Sequence, residues 1–196
     1  MIQHPLPLLL ASGSPRRREI LTRLKIPFSV LSVEVTELDH APTAEALVME
    51  NAVRKAEMGH QVRPQARILA ADTVVALGPR LFNKPRDMAE AEEMLTTLAG
   101  KTHEVLTALV LVDPEKPAPE RRNFALGRSQ ITFLPLTKEQ IRAYLQLIHP
   151  LDKAGGYAIQ EYRRWIVQHW RGSYFNIMGM PVRETLRILA HHGIAR

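Results

Sequence analysis

The stretch Ile68-Leu69-Ala70-Ala71-Asp72-Thr73-Val74-Val75-Ala76-Leu77 is almost unbroken in its apolar character and rich in small and β-branched residues. A strand covered on both faces has this composition, because neither set of alternating side chains meets water. Helical and strand signals alternate outward from it. On the amino-terminal side, residues 8–11 read as a short apolar strand. Ser14-Pro15 then supplies a helix start with proline at the first helical position, followed by an Ile20, Leu21, Leu24 stripe. Residues 28–32 read as a strand, and Thr43 caps a helix whose apolar face carries Leu47, Val48, Ala52 and Ala56. On the carboxy-terminal side, Gly78-Pro79 turns the chain. Asp87 with Glu90 resembles a capping box for a helix bearing Met88, Ala91, Met94, Leu95 and Leu98. Residues 105–113 and 124–134 read as long neighbouring strands joined by a proline-containing segment. Thr137 with Gln140 opens a further helix with an Ile141, Tyr144, Leu145, Ile148 stripe, residues 165–170 suggest a strand, and 181–192 form a last amphipathic helix. The expected class is α/β, a mixed sheet flanked by helices, in a single domain spanning 1–196.

Composition narrows the possibilities. Hydrophobic residues make up 45% and charged residues 23%, which excludes wholesale disorder. The absence of cysteine removes disulfide scaffolds, thiolate nucleophiles and Cys-ligated metals, and leans towards a reducing compartment. The longest apolar runs are too short to span a bilayer. The amino terminus lacks a basic run, and Pro5 and Pro7 interrupt what would be a signal-peptide core, so a cytoplasmic protein with no membrane partner is expected. A net charge of +6 favours anionic partners without choosing among them.

Three places are anomalous. In Ser12-Gly13-Ser14-Pro15-Arg16-Arg17-Arg18, three arginines stand in the first turn of a helix, against its dipole. A bound anion reverses that penalty, since small residues admit a phosphate to the amides and arginine offers bidentate contacts; a basic surface helix is the plainer alternative. Asp72 places a carboxylate in a buried run, where it needs a metal ion, an arginine from the first loop, or backbone amides. Leu151-Asp152-Lys153-Ala154-Gly155-Gly156-Tyr157-Ala158-Ile159-Gln160 combines opposite charges with paired glycines, as a ligand-facing loop or an ordinary tight turn does. Other motifs fail. Gly100-Lys101-Thr102 lacks the earlier glycine of a P-loop, and no His-x-x-x-His spacing supports a histidine metal site. His191-His192 reads as the solvated end of the last helix. Trp165 and Trp170, an odd interval apart, read as one core and one surface residue rather than a stacking platform.

Six segments in order resemble the Maf family of nucleoside-triphosphate pyrophosphatases. They are Ala11 to Arg17, Ala71-Asp72-Thr73-Val74-Val75, Lys84-Pro85, Gly100-Lys101-Thr102-His103, Asp152 to Gln160, and Gly172-Ser173-Tyr174 with Asn176 and Gly179-Met180-Pro181. The resemblance implies a two-lobed α/β fold with a central cleft. It implies hydrolysis of a nucleoside triphosphate to monophosphate and pyrophosphate, assisted by a divalent cation, Mg²⁺ or Mn²⁺, and a homodimer. On the family pattern Asp72 is the expected proton acceptor and Lys84 a catalytic cation. Glu37 with Asp72 are the expected metal carboxylates, and Ser12, Arg16, Arg17, Lys55 and Lys153 the expected substrate-binding positions. Arg16, Thr73 and Gln160 look like the dTTP/UTP branch, where a 7-methyl-GTP branch has an aromatic residue, Gln and Glu. Met180 replaces the usual leucine, and residues 161–164 are bulkier and more basic than the glycine-rich stretch of many members. Two rival readings are a nucleic-acid-binding module, which the 6% of aromatic residues disfavours, and a non-catalytic nucleotide sensor.

Overall fold

The computed structural model describes residues 6–195; Pro5 lies outside them. Its sheet contains β1 (Leu8–Leu10), β2 (Ser29–Val30), β3 (Arg67–Leu77), β4 (Arg80–Phe82), β5 (Thr102–Val112), β6 (Arg122–Phe133) and β7 (Val167–Arg171). The order is β2-β1-β3-β5-β6-β7, with β4 added to β3. β1 runs parallel to β2 and β3 and every other pairing is antiparallel, so the sheet is mixed, as expected.

Alternation along β3 divides the interior into two cores. Ile68, Ala70, Val74 and Ala76 face α2 (Ala44–Val62) through Leu47, Val48, Ala52 and Ala56. Leu69, Ala71 and Val75 face the opposite core. That core is built from α1 (Pro15–Arg23), α3 (Met88–Leu98), α4 (Lys138–Leu147) and α6 (Val182–His191); a short α5 (Tyr174–Ile177) packs beside it. β3 is therefore buried on both faces, which is what its composition required.

The helix starts follow the expected chemistry with one difference. Thr43 Oγ1 accepts from the Ala46 amide at 3.1 Å. Thr137 and Gln140 form a reciprocal capping box. Asp87 accepts from the Glu90 amide at 2.8 Å, but Glu90 reaches past it to the Arg86 amide at 2.7 Å, because the Arg86 guanidinium also holds that carboxylate. Only half of the box forms at Asp87.

Two expectations are corrected. The last strand begins at Val167, after a 3₁₀ turn at Arg163–Trp165, and both tryptophans are exposed, Trp165 by 50% and Trp170 by 37%. Trp165 lies outside the strand, so the two rings do not alternate across it. His192 is buried, with Nδ1 2.6 Å from Asp113 Oδ2, and Arg67 Nε meets the same oxygen at 3.1 Å. The helix end turns inward to satisfy a buried carboxylate at the end of β5.

Burial alone would raise the Asp113 carboxyl. The hydrogen bond from His192, the Glu115 amide and Arg67 outweigh it and hold the group below its ordinary value of 3.8. Its stabilising contribution is complete above the ordinary carboxylate range and is lost as pH falls through the lowered value. Asp113→Asn is expected to cost about 1.5–3 kcal/mol at neutral pH. In thermal melts run from pH 7 downward, the gap from wild type should stay constant until about pH 3.8 and narrow only below it.

β5 covers one edge of β3 from Ile68 to Ala76. On the other edge β1 pairs with residues 67–69 and β4 with residues 75–77. Residues 70–74 have no strand partner there, and the sheet is open at this point.

Candidate active site

The opening in the edge of β3 leads into a cavity of about 450 Å³, within the range of small-molecule sites. One wall is the β1–α1 loop and the amino end of α1, with Val33, Val35 and Glu37 from the segment after β2 and Lys55 from α2. The other is Asn83-Lys84 after β4, residues 151–154, Tyr157, Ile159 and Gln160, and the end of α5 with Gly179. Asp72, Thr73 and Val75 form the floor. All ten residues singled out from the sequence, Ser12, Arg16, Arg17, Glu37, Lys55, Asp72, Thr73, Lys84, Lys153 and Gln160, line this one cleft. The central cleft expected between two halves of the fold is present.

Asp72 lies on the α2 side of the sheet and is only 6% exposed. Asn51 and Lys55, four residues apart on α2, share a helix face and both reach it. Lys55 Nζ is 2.5 Å from Asp72 Oδ1 and 3.0 Å from Glu37 Oε1. The compensation for the buried carboxylate is thus a lysine from α2 rather than an arginine from the first loop. Asn51 Nδ2 stands 3.5 Å from the other oxygen, Oδ2. The same amide exchanges hydrogen bonds with both backbone groups of Leu38, which fixes the loop that carries Glu37. Asn51 was not singled out from the sequence; its signal was a polar residue between Val48 and Ala52 on an otherwise apolar face. Burial works to raise the Glu37 carboxyl, but Lys55, with help from Lys84 and Arg17, prevails and holds it below the usual range, so Glu37 is ionised at neutral pH.

Thr73, one residue on, points to the opposite face. There the guanidinium of Arg17 donates four hydrogen bonds: to Gly179 O at 2.9 Å, Ser12 Oγ at 3.0 Å, Ala71 O at 2.8 Å and Thr73 Oγ1 at 3.1 Å. The bond to Ala71 O caps one of the carbonyls left free in the opening of the sheet. Burial lowers the Arg17 pKa, with Asp72 opposing; a guanidinium stays charged under such a shift. The direction of the adjoining bonds is fixed by counting protons. Thr107 spends its single hydroxyl proton on Asn176 O at 3.0 Å, so the 3.0 Å contact between the two threonines is donated by Thr73. Thr73 accepts from Arg17 and donates to Thr107, which leaves its hydroxyl committed to positioning the guanidinium. Gly179 is required beside it: φ is +97°, and a Cβ would stand 3.2 Å from Thr73 Oγ1.

The three arginines of α1 therefore separate. Arg17 is buried and Arg18 is exposed. Arg16 grips Asp152 across the cleft, through Oδ2 at 2.9 Å and the backbone carbonyl at 3.1 Å. The other oxygen of Asp152 receives the buried Lys153 at 2.7 Å. Lys84, with its side chain 56% exposed and only a 3.7 Å contact to Glu37, is the cation most at liberty to meet a ligand. Ser14 makes no side-chain cap, Pro15 carries no N–H and the Arg18 amide donates to Ser14 O, so the Arg16 and Arg17 amides are the first-turn donors of α1 left without a partner. Gln160 donates to Glu161 at 3.1 Å. His103, by contrast, is a core residue, packed on Phe133 and Tyr157 and pushed down to about 4 by burial. Among the described residues no group of three or more His, Cys, Asp or Glu is gathered for a metal, and no helix is long and apolar enough to cross a membrane.

Fold and site together define a mixed-sheet α/β protein with a cationic cleft around one buried carboxylate. The particular family is shown by sequence: the chain belongs to the Maf-like proteins, whose family model matches residues 7–192. It is 41% identical over 182 residues to the dTTP/UTP pyrophosphatase of Bacillus cytotoxicus, covering 92% of this chain and 93% of that one. It is 42% identical over 188 residues to that of Myxococcus xanthus, covering 95% and 93%. Among solved structures, a nucleoside-triphosphatase (dITP/XTP pyrophosphatase) from Mycobacterium abscessus superimposes with a TM-score of 0.46 at 19% identity, covering 96% of this chain and 94% of that chain. The Ham1 protein of Staphylococcus aureus gives 0.48 at 11%, covering 95% and 97%.

Proposed function

We propose that this protein hydrolyses nucleoside triphosphates, dTTP and UTP in particular, to the monophosphate and pyrophosphate. The observation that carries the reading is the union, in one cleft, of Asp72, the unpartnered Arg16 and Arg17 amides and the cations Arg16, Lys55, Lys84 and Lys153. Relatives across at least 92% of the chain named dTTP/UTP pyrophosphatase support it. Water attacks the α-phosphorus, the bond to the bridging oxygen breaks, and pyrophosphate leaves with the electron pair. Asp72 Oδ1 is held by Lys55, while Oδ2 has only the long contact to Asn51. Oδ2 is the acceptor that orients the attacking water and draws its proton. Lys84 and the α1 amides meet the charge that develops on the leaving group.

A divalent cation fits the donor set. Glu37 and Asp72 are hard oxygen donors already sharing one positive charge at Lys55. Two carboxylates completed by substrate phosphate and water suit Mg²⁺ or Mn²⁺. Such an ion, held by these residues, would supply charge neutralisation on the phosphates. Removal of divalent ions by a chelator should abolish turnover, and Mg²⁺ or Mn²⁺ should restore it. A cytoplasmic location, favoured by the lack of cysteine, and a homodimer belong to the same reading; light scattering tests the latter.

Base preference follows from one side chain. Glu161 takes one N–H of the Gln160 amide and so sets which way the amide faces, with the carbonyl on its other side open to accept a hydrogen bond. Uracil and thymine both present an N3–H donor there, and neutral cytosine does not. In a pyrophosphate-release assay over a panel of triphosphates, UTP and dTTP should exceed CTP in kcat/KM by at least about tenfold. No release from any triphosphate would sink the enzymatic reading, and equal rates for CTP would sink the role of Gln160.

A further inference from the structure

The segment after the cleft is unlike a solvent loop. Tyr162, Trp165, Trp170 and Tyr174 form two ring pairs, with centroids 6.5 Å and 5.9 Å apart. Arg163 stacks its guanidinium 5.4 Å above the Trp170 ring. Arg163 and Arg164 form no ion pair among the described residues, and the nearby carboxylate of Glu161 is turned to Gln160 and Lys153. Tyr162 holds φ at +48°, a left-handed conformation that a bulky residue adopts only when its surroundings fix it. The result is a second, shallower cavity of about 320 Å³ lined by Gln160, Tyr162, Arg163, Arg164, Trp165 and Tyr174. Gln160 is the wall it shares with the main cleft. Exposed rings beside unneutralised guanidinium groups are matched by a ligand with an aromatic face and an anionic end.

We propose that this shelf is a second nucleotide-binding subsite, taking the base of a nucleoside monophosphate against Tyr162, Trp165 and Tyr174 and its phosphate on Arg163 and Arg164. The assignment rests on the proposed function in one respect, that the cleft is the other UMP site and Gln160 its base reader; it does not require turnover. Because Gln160 belongs to both cavities, occupancy of the shelf fixes the side chain that reads the base in the cleft. An arriving nucleotide, the reaction's own product included, would act on base selection rather than on the phosphate chemistry.

Trp165 and Trp170 are the chain's two tryptophans, so intrinsic fluorescence reports on the shelf directly. The full-length protein is titrated with UMP, with ribose 5-phosphate and with a uridine hexanucleotide, and the UMP stoichiometry is measured by calorimetry. UMP should quench the fluorescence and bind at two sites per chain, while ribose 5-phosphate leaves the signal unchanged. In Arg163→Ala/Arg164→Ala, with its melting temperature as a control for folding, the fluorescence-detected affinity should fall by about tenfold or more, and one calorimetric site should remain. In Lys84→Ala the quench should persist. A single site in the wild type, a quench lost in Lys84→Ala but kept in the double variant, or a hexanucleotide binding far more tightly than UMP would each overturn the proposal, the last in favour of a nucleic-acid surface.

Discussion

Asp72→Asn is expected to leave a folded protein that releases pyrophosphate about 10²–10⁴-fold more slowly than wild type. The substitution keeps the shape of the side chain and removes its charge. Asparagine can still accept from Lys55 through its carbonyl, so α2 stays docked, and Glu37 retains the lysine at 3.0 Å. What disappears is the acceptor at Oδ2, which becomes an NH₂ donor facing the water it should orient. The loss should fall mainly on kcat, since Asp72 is the proposed acceptor for the reacting water, and KM for UTP should rise as well, because the same carboxylate is proposed to help hold the divalent ion on the phosphates. Asp72→Glu should also be slow, since an added methylene displaces the carboxylate in a floor without slack. A variant with wild-type kcat, folded by its melting curve, would remove Asp72 from the chemistry.

Arg17→Ala carries the second large effect, and it falls on stability. The guanidinium donates to two backbone carbonyls and two hydroxyls in a buried site, and alanine leaves all four acceptors without that donor. The cost expected for breaking such a network is about 3–5 kcal/mol, or roughly 6–20 °C in melting temperature for a chain of this size. Arg17→Lys should recover only part of it, because one ammonium cannot span from Ala71 O to Gly179 O. Activity should fall in both variants through the displaced floor of the cleft. A melting temperature within about 2 °C of wild type would mean that the opening in the sheet is held by something else.

Elements set by local physics were legible in the sequence. Thr43 and the Thr137–Gln140 box start their helices as their side chains require, and the run around Asp72 is the doubly buried strand its composition implied. β4 and α5 escaped because elements of three and four residues offer periodicity nothing to act on. The site residues could be nominated from their types, but their partners could not. Lys55 lies 17 residues from Asp72, and Asp152 lies 136 residues from Arg16. Only the sheet order brings such pairs together. Burial was misjudged at His192, since its reason for turning inward, Asp113, sits 79 residues away. The tryptophans misled because a 3₁₀ turn broke the alternation between them.

The unpartnered stretch of β3 also has a mechanical meaning. β3 and β5 pass without interruption through both walls of the cleft, in continuous register from Ile68 to Ala76. The walls are therefore two ends of the same pair of strands, and no loop hinge separates them. A movement of the two ends relative to one another, beyond shifts of the lining loops, would be a flexing of those strands, concentrated where one edge lacks a neighbour to stiffen it, at residues 70–74. Asp72 stands in the middle of that span. The carboxylate proposed to orient the attacking water stands on that span, so its alignment would register how tightly both walls grip whatever lies between them.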